Sequence, residues 1–182
     1  KIDKIILATS ESSENDSLAN LIKKRGYDVF RGSENDVLGR YFEAANKYQP
    51  KSVVRITGDC PIIDPAIIDE VISLYEKENA NYASNTNPPT YPDGLDVEVF
   101  SFYSLKEANK KAKTSHEREH VTPFIRANNK LKNINLSNDT DLSKERWTVD
   151  DPEDLLVIEN ILNHFVPELD FSWKDVLELK KT

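Results

Sequence analysis

The sequence is nearly devoid of sulfur, since its 182 residues include one cysteine, Cys60, and no methionine. A single cysteine excludes an intrachain disulfide framework and a zinc cage built from cysteines, and it is typical of a protein from a reducing cytoplasm. No apolar run approaches the ~20 residues that a membrane span requires. A chain without methionine that leads from Lys1 almost directly into an apolar strand is expected to begin inside a larger domain.

Basic residues are outnumbered by acidic ones. Lysine and arginine number 24 against 32 aspartate and glutamate residues, which leaves a formal net charge of -8. A chain this acidic is unsuited to binding along nucleic-acid phosphates or an anionic membrane surface, so neither is expected as a partner. With 38% hydrophobic and 31% charged residues, the composition is typical of a folded globular protein, and we expect residues 1–182 to form one domain.

The first third of the chain alternates between strand and helix patterns. Apolar and β-branched runs predict strands over residues 2–9, 27–30 and 52–57. Apolar residues at helical spacing predict a helix over residues 15–25 and a second helix that Asp36 caps and Pro50 ends. Crossovers of this length predict parallel strand pairing and an α/β fold, whose ligands bind beyond the carboxyl ends of the strands.

The rest of the chain contains shorter patterns. A loop rich in asparagine and proline is expected at residues 81–92, and a strand at 94–100 alternates apolar residues with Asp96 and Glu98. That alternation predicts a polar face that carries both acids. Helices are predicted over residues 65–78, 102–113, 116–128 and 152–165, and further strands over 131–136 and 146–149.

Two aspartates follow predicted strands, where the ligand of a parallel sheet would bind. Asp59 lies in the segment TGDCP at residues 57–61, where a carboxylate in a tight turn can either ligate a hard cation or form an Asx turn. Asp150 follows the last predicted strand. Pro152 at the first helical position makes Asp151 the natural N-cap, which leaves Asp150 without a structural role and makes it a candidate metal ligand.

His116, Glu117 and His120 match the H-E-x-x-H pattern, in which two histidines one helical turn apart bind zinc and the glutamate activates a water molecule. Pro123 interrupts the helix that such a site needs, and His164 is the sole remaining histidine. A zinc peptidase is therefore the least favoured alternative. The same turn also fits a basic cluster that binds an anionic or hydroxyl-rich substrate, or a set of exposed ion pairs.

Six segments together resemble one enzyme family. They are LATS at residues 7–10, FRGSENDVLGRY at 30–41, VRITGDCP at 54–61, YPDGLDVE at 91–98, REHVTP at 118–123 and WTVDDPED at 147–154. In this order, along nearly the whole chain, they resemble the cytidylyltransferases of the spore coat polysaccharide biosynthesis type, relatives of the acylneuraminate and ketodeoxyoctonate nucleotide-activating enzymes.

The resemblance implies a fold and a reaction. The expected fold is that of the nucleotide-diphospho-sugar transferases, a Rossmann-like three-layer α/β sandwich with a mostly parallel sheet. The expected reaction is the Mg²⁺-dependent transfer of a nucleoside monophosphate, CMP from CTP, to a sugar, with release of pyrophosphate. The activated sugar would serve the synthesis of surface polysaccharide or glycoconjugates.

The resemblance also implies roles for individual residues. Mg²⁺ ligation is expected from Asp59 and Asp150, and Asp59 is expected on the nucleotide side as well. The segments that flank the nucleotide contain Thr9, Ser33 and Arg40. The segments that line the sugar contain Asp93, Glu98, Arg118 and His120.

One part of the family pattern is not found in the chain. Relatives begin with a strand and a basic, glycine-containing loop that holds the triphosphate. Gly32 and Ser33 do not replace that loop, because no further glycine or adjacent lysine accompanies them. We therefore expect the domain to be N-terminally incomplete. A non-catalytic nucleotide-binding, sugar-binding or assembly module stays open as the alternative function, and so does a homodimer.

Overall fold

The computed structural model describes residues 1–179, which form two compact units. Unit 1 comprises Lys1–Val53, Ala80–Tyr82 and Phe100–Asn133. Unit 2 comprises Val54–Asn79, Ala83–Val99 and the chain from Ile134 onward. The expectation that residues 1–182 form one domain stays a prediction, and the end of that range, residues 180–182, lies outside the described part of the chain.

The fold is α/β, as the sequence predicts. The strands are β1 (Ile6–Ser10), β2 (Asp28–Gly32), β3 (Ser52–Arg55), β4 (Tyr82–Ser84), β5 (Glu98–Ser101) and β6 (Asn133–Asn135). The α-helices are α1 (Asp16–Lys24), α2 (Val37–Tyr48), α3 (Pro65–Lys77), α4 (Phe102–Lys111), α5 (Ser115–His120), α6 (Pro123–Arg126), α7 (Pro152–Phe165) and α8 (Trp173–Leu179). Within residues 1–179, no helix combines the length and apolar character that crossing a membrane would demand.

In unit 1, β1 and β2 pair in parallel, with Ile6 opposite Asp28 and Ser10 opposite Gly32. This confirms the parallel pairing predicted for consecutive strands joined by a helix. β3 belongs instead to a second sheet, whose strand order is β3-β5-β4-β6. The sequence could not show this division, because strand patterns record which side chains are buried and not which strands are hydrogen-bonded neighbours.

α2 illustrates how local sequence signals position the core of unit 1. The Asp36 carboxylate caps the helix by accepting a first-turn amide at 2.9 Å, and the C-cap residue after Tyr48 is Gln49, whose φ of 49° is left-handed. Pro50 follows, as predicted. The apolar face of α2 packs into a buried cluster whose members include Leu38, Ala45, Phe100, Leu105 and Ile125.

In unit 2, α3 and α7 occupy the ranges that the sequence predicts. α3 follows its N-cap Asp64, whose carboxylate accepts the Ala66 amide at 2.7 Å. Its buried residues are Ile67, Ile68, Val71, Ile72 and Tyr75. α7 has the predicted bounds, with Asp151 as N-cap and Pro152 as its first residue. The capping role therefore belongs to Asp151 and not to Asp150.

The strand predicted at residues 94–100 starts only at Glu98, because a side chain replaces strand pairing before that point. The Asn85 side chain donates to the Leu95 carbonyl at 2.7 Å and accepts from the Val97 amide at 2.9 Å. Asn85 lies in the segment 81–92, which the sequence predicts to be a loop. That prediction was wrong in part, because the segment contains β4. Glu98 is 5% exposed, so the face predicted to be polar is buried at this residue.

The prediction of one continuous helix over residues 116–128 is wrong. The chain forms two short helices there, α5 and α6. Val121 between them has a φ of 69°, which breaks the helical backbone, and Pro123 begins the next helix.

The strand predicted at residues 146–149 is reduced to an isolated parallel bridge between Arg146 and Asp93. The amides of Trp147 and Val149 donate to carbonyl groups in loops. Loop acceptors therefore take the place of a neighbouring strand.

Candidate functional site

Unit 2 contains a set of carboxylates that we call the acidic cluster: Asp59, Asp93, Asp96, Glu98 and Asp150. Backbone hydrogen bonds join the segments that carry them. The Val149 amide donates to the Asp59 carbonyl at 2.8 Å, and the Trp147 amide donates to the Asp93 carbonyl at 2.7 Å. Asp59 and Asp150, which the sequence placed after two different strands, therefore lie on adjacent loops.

Gly94 allows these segments to approach each other closely. Its φ of +107° is left-handed, and a Cβ at this position would lie 2.6 Å from the backbone carbonyl carbon of Trp147. Glycine adopts this φ without steric cost, and its lack of a Cβ avoids a clash with the Trp147 backbone. Gly94 therefore sets the distance between the loop that carries Asp93 and the segment that leads to Asp150.

Asp96 is a candidate site residue that sequence reasoning missed. Its side chain is half-buried, and no described residue donates a hydrogen bond to it. Burial raises its pKa to about 6, and the negative charges of Asp93, Glu98 and Asp59 add to the shift. A perturbed carboxylate in a group of like charges is typical of functional sites. The available signal was its position two residues before Glu98, on the same predicted face.

Glu98 forms a buried ion pair. Its Oε2 accepts from Nη1 of Arg55 at 2.6 Å, and the two side chains are 6% and 19% exposed. Breaking such a pair would leave an uncompensated buried charge, which is costly. Glu98 therefore neutralises Arg55, and its contact with a sugar stays a prediction.

Arg146, which the sequence did not indicate, contacts three carboxylates. Its Nη2 donates to Asp150 at 2.6 Å and to Asp154 at 2.8 Å, and its Nη1 donates to Asp93 at 3.2 Å. The hydrogen bond from Arg146, followed by those from the amides of Asp150 and Asp151, holds the pKa of Asp154 well below its usual range. No local pattern predicted these contacts, because the segment from Arg146 to Asp150 is neither helix nor strand.

The donor set of the acidic cluster fits Mg²⁺. Among the described residues, the Asp59 carboxylate has only a 3.5 Å contact with the Cys60 thiol, and Asp150 uses one oxygen for Arg146. Mg²⁺ is commonly held by one or two carboxylates together with phosphate oxygens and water. Residues 1–179 contain no preassembled group of three or more His, Cys, Asp or Glu side chains for a metal. The nucleotide would have to supply further ligands.

Cys60, although next to Asp59, is not part of this chemistry. Burial raises the pKa of its thiol to about 12, so the sulfur stays protonated near neutral pH. The thiolate is the form that ligates metals and acts as a nucleophile. Cys60 is thus a buried structural residue of the turn that carries Asp59.

In unit 1, Ser33 and Arg40 lie together at the start of α2. The Ser33 carbonyl accepts from Nη1 of Arg40 at 2.7 Å, and the Ser33 hydroxyl accepts the Asp36 amide at 3.1 Å. The Nε of Arg40 is buried and has no hydrogen-bond partner among the described residues. Thr9 is buried on β1, opposite Arg31 of β2.

Arg118 is tied to the N-cap of α2. Its Nε donates to Oδ1 of Asp36 at 2.8 Å, and its Nη1 donates to the Asn109 carbonyl at 2.9 Å. Burial opposes ionisation of Asp36, but the hydrogen bonds from Arg118 and from the Gly39 amide hold the pKa of Asp36 below its usual value. Glycine at position 39 leaves room for this arrangement, because a Cβ there would clash with the Asp36 carboxylate. Arg118 thus has a structural role, and its contact with a sugar stays a prediction.

The histidines of α5 do not form a zinc peptidase site. His116 and His120 are exposed, with ring centroids 4.6 Å apart. Glu117 caps the helix instead of facing a metal, since its Oε2 accepts the amides of Lys113 and Thr114 at 3.0 Å. Since residues 1–179 hold no group of three metal-type side chains, the zinc alternative has no structural basis. His120 stays a predicted sugar-side residue.

Comparisons with known proteins identify a family, which both a family model and a solved structure name. The sequence model of the cytidylyltransferase family matches residues 1–162. An uncharacterized protein of Methanocaldococcus jannaschii is 39% identical over 168 residues, which cover 91% of this chain and 68% of that protein. The spore coat polysaccharide biosynthesis protein SpsF of Bacillus subtilis is 28% identical over 181 residues, 97% of this chain and 74% of that protein. A solved structure of a cytidylyltransferase from Leptospira borgpetersenii has a TM-score of 0.90 and 34% identity, covering 97% of this chain and 75% of that one.

Proposed function

The chain belongs to the cytidylyltransferase family, and we propose that it transfers CMP from CTP to a sugar with release of pyrophosphate. The observation that carries the proposal is the hydrogen bond between the Val149 amide and the Asp59 carbonyl, because it supports a pair of carboxylates, Asp59 and Asp150, on adjacent loops. In this reaction a sugar oxygen bonds to the α-phosphorus as the bond to pyrophosphate breaks. Membership in the family favours a nucleotidyltransferase over a non-catalytic binding or assembly module.

Asp59 and Asp150 are the proposed ligands of Mg²⁺. When bound, Mg²⁺ would offset the negative charge of the triphosphate and of the departing pyrophosphate. The chain has to orient both carboxylates. The Val149 amide holds the backbone of Asp59, and the guanidinium of Arg146 holds the Asp150 carboxylate.

Asp96 and Asp93 are the proposed sugar contacts of unit 2. A sugar hydroxyl needs an acceptor for its proton, and the Asp96 carboxylate accepts no hydrogen bond from the described residues. A hydroxyl that donates to a carboxylate is oriented, and its proton is drawn away as the new bond to phosphorus forms. The sugar contact predicted for Glu98 stays a separate proposal on the family resemblance, because its own carboxylate is paired with Arg55.

The residues of unit 1 keep their predicted roles as separate proposals. The buried Nε of Arg40 has no acceptor among the described residues, which supports a contact between Arg40 and an oxygen of the nucleotide. Thr9 and Ser33 are proposed beside it on the family resemblance. Arg118 and His120 are proposed on the sugar side on the same ground.

A role in surface polysaccharide synthesis, a cytoplasmic location and a homodimer also stay predictions.

Pyrophosphate release tests the function. The protein, with any upstream residues that its gene encodes, is incubated with CTP, Mg²⁺ and a panel of sugars that includes nonulosonic acids. Release should require both CTP and one of the sugars. It should be lost in Asp59→Asn and kept in Asp69→Asn, which alters an exposed aspartate of α3 in the same unit. No release across the panel with any of the four nucleoside triphosphates would contradict the proposal.

A further inference from the structure

We propose that Arg146 is a positioning residue that orients the Asp150 carboxylate toward a divalent cation. The proposal rests on the proposed function, because it assumes that Asp150 is a cation ligand. Arg146 would act through Asp150 and not by touching the substrate. Its role is then visible in cation binding itself and not only in turnover.

The anchor of Arg146 is the first turn of α7. There, one oxygen of Asp154 accepts the amides of Asp150 and Asp151 at 3.0 and 3.2 Å. The same carboxylate accepts from Nε and Nη2 of Arg146 at 3.1 and 2.8 Å. Two parallel hydrogen bonds to one carboxylate fix the plane of a guanidinium group. Asp154 is itself only 17% exposed, so Arg146 is held against the helix.

A second contact fixes the other side of the guanidinium. The backbone of Arg146 forms a parallel bridge with Asp93, and its Nη1 donates to the Asp93 carboxylate at 3.2 Å. Isolated exposed ion pairs contribute little to stability, but a network with a two-bond partner defines a geometry. Contacts with Asp154 and Asp93 therefore hold the Arg146 guanidinium on two sides.

The hydrogen bonds leave one oxygen of Asp150 for a cation. Nη2 of Arg146 donates to Oδ2 of Asp150 at 2.6 Å, and no described residue donates to Oδ1. A carboxylate held at one oxygen presents the other in a defined direction. Partners that hydrogen-bond a metal ligand in this way typically change metal affinity or activity by about 10–100-fold when they are removed.

The positive charge of Arg146 has the opposite effect, because it repels a cation. If charge dominated, Arg146→Gln would bind a cation more tightly, and Arg146→Lys would resemble the wild type. If orientation dominates, both variants bind a cation more weakly, because lysine cannot form the two-bond contact with Asp154. The effects of charge and of orientation therefore change the cation affinity of Arg146→Gln in opposite directions.

Mn²⁺ is used as a substitute for Mg²⁺, and its binding to the protein in the presence of saturating CTP separates the effect of charge from the effect of orientation. Water-proton relaxation measures this binding against a reference of Mn²⁺ and CTP without protein. The dissociation constant should rise by about 10–100-fold in Arg146→Gln and Arg146→Lys. Lys111→Gln is the matched control, because Lys111 is a surface cation paired with Glu107 in α4, and it should leave Mn²⁺ binding unchanged. Circular dichroism melts verify that every variant is folded before binding is measured.

Each remaining outcome overturns the proposal. Equal or tighter Mn²⁺ binding in Arg146→Gln, in a wild type that binds Mn²⁺, contradicts the positioning role and leaves the proposed function intact. Wild-type binding in Arg146→Lys would show that the positive charge at this position, and not the two-bond contact with Asp154, determines the cation affinity. A folded wild type that binds no Mn²⁺ in the presence of CTP, or an Asp150→Asn variant that binds it normally, contradicts the assignment of Asp150 and with it this proposal.

Discussion

The backbone amide of Val149 donates a hydrogen bond of 2.8 Å to the carbonyl of Asp59, and this bond joins the two loops that carry the proposed Mg²⁺ ligands. It uses main-chain atoms and so does not depend on either carboxylate. The loops should keep their relative position when Asp59 or Asp150 is replaced. Charge at the acidic cluster can therefore be changed separately from the fold around it.

Asp59→Asn should lower kcat by about 100-fold or more, because the amide keeps the shape of the side chain and removes the charge that binds the cation. Its melting temperature should stay within ~2 °C of the wild type. Asp150→Asn should behave in the same way, since Asp151 is the N-cap of α7. Steady-state kinetics with Mg²⁺ and thermal melts measure both effects. A variant that turns over normally but melts much earlier would mean that the aspartate is structural.

Gly94→Ala should lower the free energy of unfolding by about 2–4 kcal/mol. The substitution combines a left-handed φ with a Cβ placed 2.6 Å from the backbone of Trp147. Gly26→Ala is the matched control, because its φ is +85° and nothing lies within 4 Å of its Cβ. The free energy of unfolding of that variant should fall by only about 1 kcal/mol, which is the cost of the left-handed φ without a steric clash. Equal losses in urea denaturation would show that the contact with Trp147 is unimportant.

Asp96 should make the protein less stable as the pH rises. Its pKa is about 6 in the folded protein against an ordinary value of 3.8, so the folded state holds the proton more tightly than the unfolded chain. The resulting stability is fully present below about pH 4 and is lost as the pH rises through about 6, in total about 2–3 kcal/mol. Asp96→Asn should therefore melt ~4–8 °C higher than the wild type at pH 8 and at a similar temperature at pH 4.

Thermal melts across this pH range measure the Asp96 effect. Asp69→Asn, which changes an exposed aspartate of the same unit, is the control and should shift the melting temperature equally at both pH values. If the difference between Asp96→Asn and the wild type did not change with pH, the environment assigned to Asp96 would be wrong.

The Asp36 and Arg118 side chains should be energetically coupled. A double-mutant cycle with Asp36→Asn and Arg118→Gln should give a coupling free energy of about 1 kcal/mol near neutral pH, because the pair is partly exposed and screened by solvent. Arg118 holds the pKa of Asp36 below its usual value, so this stability is present above about pH 4 and is lost as the pH falls through the lowered pKa. Denaturation at several pH values measures the coupling, and a value near zero would contradict the pair.

Arg118→Ala should also raise KM for the sugar more than KM for CTP if Arg118 contacts the sugar. Asp36→Asn is the matched control, because it breaks the same ion pair and keeps the guanidinium group. Steady-state kinetics with each substrate varied in turn measure the effect. Equal changes in Arg118→Ala and Asp36→Asn would mean that Arg118 acts only by packing α5 onto the N-cap of α2.

Local sequence signals predicted those parts of the fold that depend on neighbouring residues. Asp36, Asp64 and Asp151 begin helices because each N-cap sits beside the amides of its own first turn. The continuous helix predicted at 116–128 was wrong because Val121 has a positive φ, which is unusual for a β-branched residue. Val121 is buried in the core of unit 1, a tertiary contact that the local pattern does not record. The start of β5 was missed because Asn85, distant in the chain, bonds to the backbone of residues 95 and 97.

The sequence by itself determined the α/β class, the family resemblance and the segments that carry Asp59, Asp93 and Asp150, because capping, periodicity and motif order are written in consecutive residues. Only the tertiary structure decided which carboxylates are neutralised and which are available. Arg55 pairs with Glu98 and Arg146 with Asp150, whereas Asp96 accepts no hydrogen bond from the described residues. The reason is physical: the state of a carboxylate depends on its burial and on its hydrogen-bond donors, and loops distant in the chain supply both.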